Sequence, residues 1–117
     1  MPSHRIERLN KDFRKELSSV ISGMKDPRLD EFLSVMRVEV TTDLSYAKAY
    51  IGSIHGGDAA REAVTVLAGA EGHIKTELSK RLKIRKIPEI SFIADDSVDY
   101  YNKINSILEG LKNGQDD

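Results

Sequence analysis

The chain has 117 residues, 39% of them hydrophobic, no cysteine and a formal net charge of −1. That suffices for one core and one domain, expected over residues 1–111 with 112–117 as a disordered tail, and it excludes a disulfide framework or a thiolate metal site. No run reaches the roughly 18 consecutive apolar residues of a bilayer span, and residues 1–10 lack the apolar segment of a secretory signal, so a soluble, unprocessed cytoplasmic protein is expected.

Ile6, Leu9, Phe13, Leu17, Val20, Ile21 and Met24 recur in steps of three and four, which predicts an amphipathic helix. Its solvated side leans positive, with Arg5, Arg8, Lys11, Arg14 and Lys15 against Glu7, Asp12 and Glu16. Pro27 disfavours helical backbone at Asp26 and stops the helix near Met24. Asp26-Pro27-Arg28 then reads as a turn, with Arg28 either projecting toward a ligand or pairing with Asp26 or Asp30.

From 33 to 41 the period changes to two, placing Met36, Val38 and Val40 on one face and Arg37 and Glu39 on the other. Asp43-Leu44-Ser45 supplies a turn, and 46–54 alternates Ala47, Ala49 and Ile51 against Tyr46, Lys48 and Tyr50, completing an antiparallel hairpin. The two tyrosines share a strand face. Aromatics there can stack unpaired bases, but packing under a helix is the commoner use in a chain this poor in aromatics.

After His55-Gly56-Gly57, Asp58 is the expected N-cap of a second helix that carries Ala63, Val64, Leu67 and Ala70 inward. The helical pattern continues through Ile74, Leu78 and Leu82, yet Gly69 and Gly72 sit inside it, each disfavoured by about 1 kcal/mol relative to alanine, so a break is expected there. Pro88 opens a third strand over 90–94. Asp95, Asp96 and Ser97 cap a last helix whose stripe Val98, Tyr101, Ile104, Leu108 and Leu111 is expected to close the core.

Charge is distributed unevenly along this order. Between 75 and 86 six bases (Lys75, Lys80, Arg81, Lys83, Arg85, Lys86) face one acid, Glu77, whereas from 95 onward six acids face two bases. A solvated helix face explains most charge runs, but this one is nearly unopposed and runs from a helix end into a loop, where with the first helix it would track an RNA backbone.

Gly69-Ala70-Glu71-Gly72 has two readings. Lying between two helices after a hairpin and before a strand, it resembles the GxxG loop of KH domains, where missing Cβ atoms and helix N–H groups let a nucleic-acid backbone approach. Glu71 opposes a phosphate at that place, and the alternative is a helix kink in which small residues permit close packing against the sheet.

Taken together, the segments resemble the ribosome-binding factor A family. Ala70-Glu71-Gly72 matches its Ala-x-Gly helix kink; Asp26-Pro27-Arg28-Leu29, the hairpin from Val38 through Asp43-Leu44-Ser45 to Tyr50, and Leu82-Lys83-Ile84-Arg85-Lys86-Ile87-Pro88-Glu89-Ile90-Ser91-Phe92 match further motifs, over about residues 4 to 111. The resemblance implies an α+β fold: a KH-like domain of type II, in the order α-β-β-α-kink-α-β, with an additional C-terminal helix. It further implies a non-catalytic assembly factor of the cytoplasm that binds the immature 30S subunit and 16S rRNA, supporting late maturation and rRNA processing, particularly in the cold. The candidate RNA-binding set is Arg5, Arg8, Lys11, Arg28, Lys75, Lys80, Arg81, Lys83, Arg85 and Lys86, with the kink at Ala70, Glu71 and Gly72. Other assembly factors, including a ribosome-associated GTPase, are implied partners of a monomer that needs no cofactor, metal or membrane.

Two rival classes stand against this. A protein-interaction module would use the same basic patch on an acidic partner. A small hydrolase would have to work with Asp95, Asp96 and the scattered His4, His55 and His73; the acid pair fits helix capping, and the histidines show no metal-ligand spacing.

Overall fold

The computed structural model describes residues 4–29 and 32–115. Its elements are α1 (His4–Ser22), β1 (Leu33–Val40), β2 (Tyr46–Ser53), α2 (Gly57–Gly69), α3 (Glu71–Arg81), β3 (Glu89–Ala94) and α4 (Ser97–Gln115), an α+β arrangement around a three-stranded sheet of order β1-β2-β3. β1 and β2 pair antiparallel, as a short turn allows. β3 runs parallel to β2, so the chain must cross from one end of the sheet to the other, and α2 and α3 form that crossover.

The core lies on one face of the sheet. Val38, Val40, Ala47, Ala49, Ile51, Ile90 and Phe92 point inward and meet Phe13 and Leu17 of α1, Ala63 and Leu67 of the second helix, and Ile74 and Leu78 of the third, all buried in one cluster. Small side chains on the central strand, Ala47 and Ala49, leave room for the helices to sit close at interior packing density.

Four expectations need correction. Period-two alternation puts Met36 inside, but the register of β1 is interrupted between Val35 and Arg37; Val35 takes the inward position and Met36 is 51% exposed. One extra residue in a strand reverses the face of everything on one side of it. Tyr46 and Tyr50 do not pack under a helix: Tyr46 is 58% exposed, and the Arg37 guanidinium of the neighbouring strand lies 4.1 Å from the centre of the Tyr50 ring.

Capping differs as well. Asp58 lies inside the first turn of α2 and pairs with Arg61 at 2.5 Å; the N-cap position is Gly56, with no side-chain cap of its own. The acceptor comes instead from α4: both carboxylate oxygens of Asp99 accept from the Gly57 N–H at 3.0 Å, setting negative charge at a helix N-terminus. Gly56 has φ +102°, and a Cβ there would stand 2.7 Å from Asp99 Oδ1, so glycine is required on both counts. Asp99→Ala is expected to cost about 1–2 kcal/mol in urea unfolding and to make α4 more susceptible to limited proteolysis.

Last, α4 does not close the core. It meets the body chiefly at α2 and β2, and its apolar stripe stands in solvent, with Tyr101, Leu108 and Leu111 exposed and Ile104 the least so at 39%. The Val98 side chain lies outside the described residues. Helical backbone continues through Gln115, past the boundary expected at 111, and the projecting arm gives the molecule a 64 Å long axis. The expected cap does form, since Asp95 accepts from the Ser97 N–H at 2.8 Å and from its hydroxyl.

Candidate nucleic-acid interface

At one end of the molecule three separate segments come together: the start of α1, the β1–β2 turn at 41–45, and the loop at 82–88. Two long-range hydrogen bonds fix the junction. Asn10 Oδ1 accepts from Val40 N at 2.9 Å, tying the first helix to the end of the first strand, and Glu89 N donates to Ser45 O at 3.0 Å, tying the loop to the turn. Leu82, Ile87 and Pro88 are buried and anchor the loop, so Lys83, Arg85 and Lys86 between them face solvent.

These segments enclose an open groove of about 630 Å³. Arg5, Arg8 and Lys83 line it, and all three are exposed without an ion pair among the described residues. Arg85 and Lys86 follow on the same loop, also unpaired among the described residues; in the groove lining itself Arg5, Arg8 and Lys83 stand against two carboxylates, Asp12 and Asp43. Asp43 is occupied within its own turn: Oδ1 accepts from the Thr41 hydroxyl at 2.8 Å and from Ser45 N at 3.1 Å, and these bonds hold its carboxyl below the usual range.

The other expected binding residues lie elsewhere. Lys11 is farther along α1 with Arg14, beside Arg37 on the β1 edge. Lys75 is half-buried on α3. Lys80 and Arg81 are not unopposed: Lys80 pairs with Glu77 one turn away on α3 at 3.2 Å, and Arg81 reaches Glu16 of α1 at 3.5 Å, so Arg81 also links the two helices. Arg28 follows the far end of α1, about 27 Å from its start by helical rise. There it pairs with Asp26 at 2.8 Å, one of the two acids expected as its partner; the Arg28 hydrogen bonds bring the Asp26 carboxyl down to about 2. Asp30 lies outside the described residues.

The break between α2 and α3 falls at Ala70, with φ −103° and ψ 15°. Close packing is not the reason for its glycines, because no neighbouring atom lies within 4 Å of where a Cβ on Gly69 or Gly72 would sit. The residue that packs on the core is Ala70 itself, and Glu71 opens α3. Gly72→Ala is therefore expected to raise stability by about 0.5 kcal/mol, seen as a rise in melting temperature of roughly 2–4 °C, without loss of RNA affinity.

Sequence patterns alone miss Arg37, whose position over Tyr50 depends on the bulge, and Leu44, which lines the groove in a left-handed conformation with φ 61°. The Asp43-Leu44-Ser45 turn was the available signal for the second. No group of three or more metal-ligating side chains occurs among the described residues, and none of their helices is long and apolar enough to cross a membrane.

The profile of the family described as Ribosome-binding factor A matches residues 5–108. The Brevibacillus brevis ribosome-binding factor A is 44% identical over 113 residues, covering 95% of this chain and 92% of that protein. The chain belongs to the ribosome-binding factor A family. Among solved structures, the crystal structure of ribosome-binding factor A from Thermus thermophilus superposes with a TM-score of 0.67 at 25% identity, over 76% of this chain and 94% of that one. A homology model of the Thermus thermophilus ribosome-binding factor A, fitted into the cryo-EM map of a 30S complex, gives 0.61 at 25% identity, over 80% and 93%. The ribosome-binding factor A match spans every segment of the basic end, from Arg5 through the turn to Lys86, and most of α4.

Proposed function

We propose that this chain is a non-catalytic assembly factor that binds the immature 30S subunit by holding 16S rRNA at its basic end, supporting late small-subunit maturation and rRNA processing. The observation that carries this is the convergence of Arg5, Arg8 and Lys83 on one groove from distant parts of the sequence, with Arg85 and Lys86 beside them. Exposed cations without internal partners give up little on meeting phosphate, and releasing counterions from RNA favours the contact. A relative fitted into a 30S complex supports the same partner. Phosphate contacts carry little sequence information, so at those contacts RNA shape supplies the specificity.

The same reading assigns the body a KH-like architecture of type II with the kink at Ala70, Glu71 and Gly72 in place of a GxxG loop. It makes the protein a cytoplasmic monomer without cofactor, acting with other assembly factors that include a ribosome-associated GTPase, and needed most in the cold. Lys11, Lys75, Lys80, Arg81 and Arg28 then contribute at the periphery. Sedimentation of cell extract tests the partner: the protein is expected on free 30S particles, absent from mature 70S ribosomes, and stripped from 30S as salt rises. A uniform spread through the soluble fraction, or retention on 70S, would overturn the reading.

A further inference from the structure

We infer that the groove at the basic end takes a single unstacked nucleotide of an RNA strand, its phosphates on Arg5, Arg8 and Lys83 and its base against Leu9, Leu44 and Ile84. This rests on the RNA-binding reading above and deepens it by naming the form of RNA.

The first reason is shape. Phosphates of a duplex lie on a convex surface and require only exposed cations, whereas this end of the molecule is a concavity of about 630 Å³, within the roughly 300–1,000 Å³ typical of small-ligand sites. Chemistry gives the second reason. Leu9, Leu44 and Ile84 line the groove and each is only half-buried, packed on the core from one side and open on the other. Apolar surface inside a charged rim offers nothing to a phosphate, but it fits a base that has left its stack.

Backbone conformation is the third. Leu44 has φ 61°, a region that large side chains rarely occupy, and the Asp43 bonds to Thr41 and Ser45 together with Leu44 N donating to Thr41 O at 2.9 Å hold it there. Asp12, finally, lines the groove exposed and has no partner among the described residues. It would repel a phosphate, yet it accepts hydrogen bonds from a base edge. Guanine, with two adjacent N–H donors, complements a carboxylate better than uracil does.

Fluorescence anisotropy on the full chain tests this, using a twelve-nucleotide single strand and a blunt duplex with the same number of phosphates, at several salt concentrations. The single strand is expected to bind about tenfold tighter. Leu44→Gly suits the left-handed backbone while deleting the apolar wall, and it should remove most of that difference and leave the salt slope unchanged. Asp12→Asn, an exposed substitution away from the core, should narrow the preference for guanine-containing over all-uridine strands. Equal binding of strand and duplex, with both variants behaving as the parent, would overturn the nucleotide site and leave the RNA-binding reading standing. Absence of salt-dependent binding to either RNA would sink that reading itself.

Discussion

Reversing Arg5, Arg8 and Lys83 together to glutamate is expected to lower affinity for 30S particles by on the order of a thousandfold or more, since each charge-assisted hydrogen bond to phosphate is worth about tenfold at least. The log-log salt dependence should flatten by roughly 0.7–0.9 for each phosphate that is no longer neutralised. All three side chains are exposed and unpaired among the described residues, so folding does not depend on them and the melting temperature should stay within a few degrees of the parent. Lys80→Gln with Arg81→Gln makes the informative control. Those cations already hold Glu77 and Glu16, so neutralising them should weaken binding by about tenfold or less, with a small stability cost where Arg81 bridges α3 to α1. If the triple reversal binds like the parent, RNA is held elsewhere on the molecule; if the double substitution is the more damaging, the interface lies along α3 and not at the groove.

Which of these residues meet was only partly legible in the sequence. The three-and-four spacing of α1 identifies Phe13, Leu17 and Val20, all buried, and alternation in β2 identifies Ala47, Ala49 and Ile51. Periodicity works there because one face of each element meets the core along its whole length. It fails in β1 because a bulge changes the phase midway, a feature set by pairing between strands. It gives the correct stripe for α4 but no information about whether anything covers that stripe. The tyrosines fail for a related reason: alternation says that Tyr46 and Tyr50 share a face, while only the tertiary arrangement decides that helices cover the other one.

Local capping rules meet the same limit. Asp58 has the right position for an N-cap, yet the acceptor is Asp99, brought to Gly57 by the fold from 42 residues away. The groove is likewise a long-range product. Charge runs in the sequence pick out Lys83, Arg85 and Lys86, and the helix wheel picks out Arg5 and Arg8, but their common address depends on the Asn10–Val40 and Glu89–Ser45 bonds that bring three segments to one end. Those same runs also promote Lys80 and Arg81, whose acids arrive from one turn away and from another helix.

Phe13→Ala is expected to be the most damaging single substitution for stability, costing about 3–5 kcal/mol. Phe13 is fully buried, sits midway along the inward stripe of α1, and belongs to the cluster in which the helices meet the sheet. Truncation leaves a ring-sized void between helix and strands that close-packed neighbours cannot fill without moving the backbone. Domains of this size have roughly 5–15 kcal/mol in total, and each kcal/mol shifts the midpoint by about 4–8 °C, so a fall of at least about 12 °C is expected by circular dichroism. Leu108→Ala on α4 is the matched comparison: that leucine is 58% exposed, and its truncation should change stability by no more than about 0.5 kcal/mol. A large effect at Leu108 would mean that the arm packs onto the body in solution. A small effect at Phe13 would contradict a core formed by α1 against the sheet, and with it the placement of Arg5 and Arg8 beside Lys83.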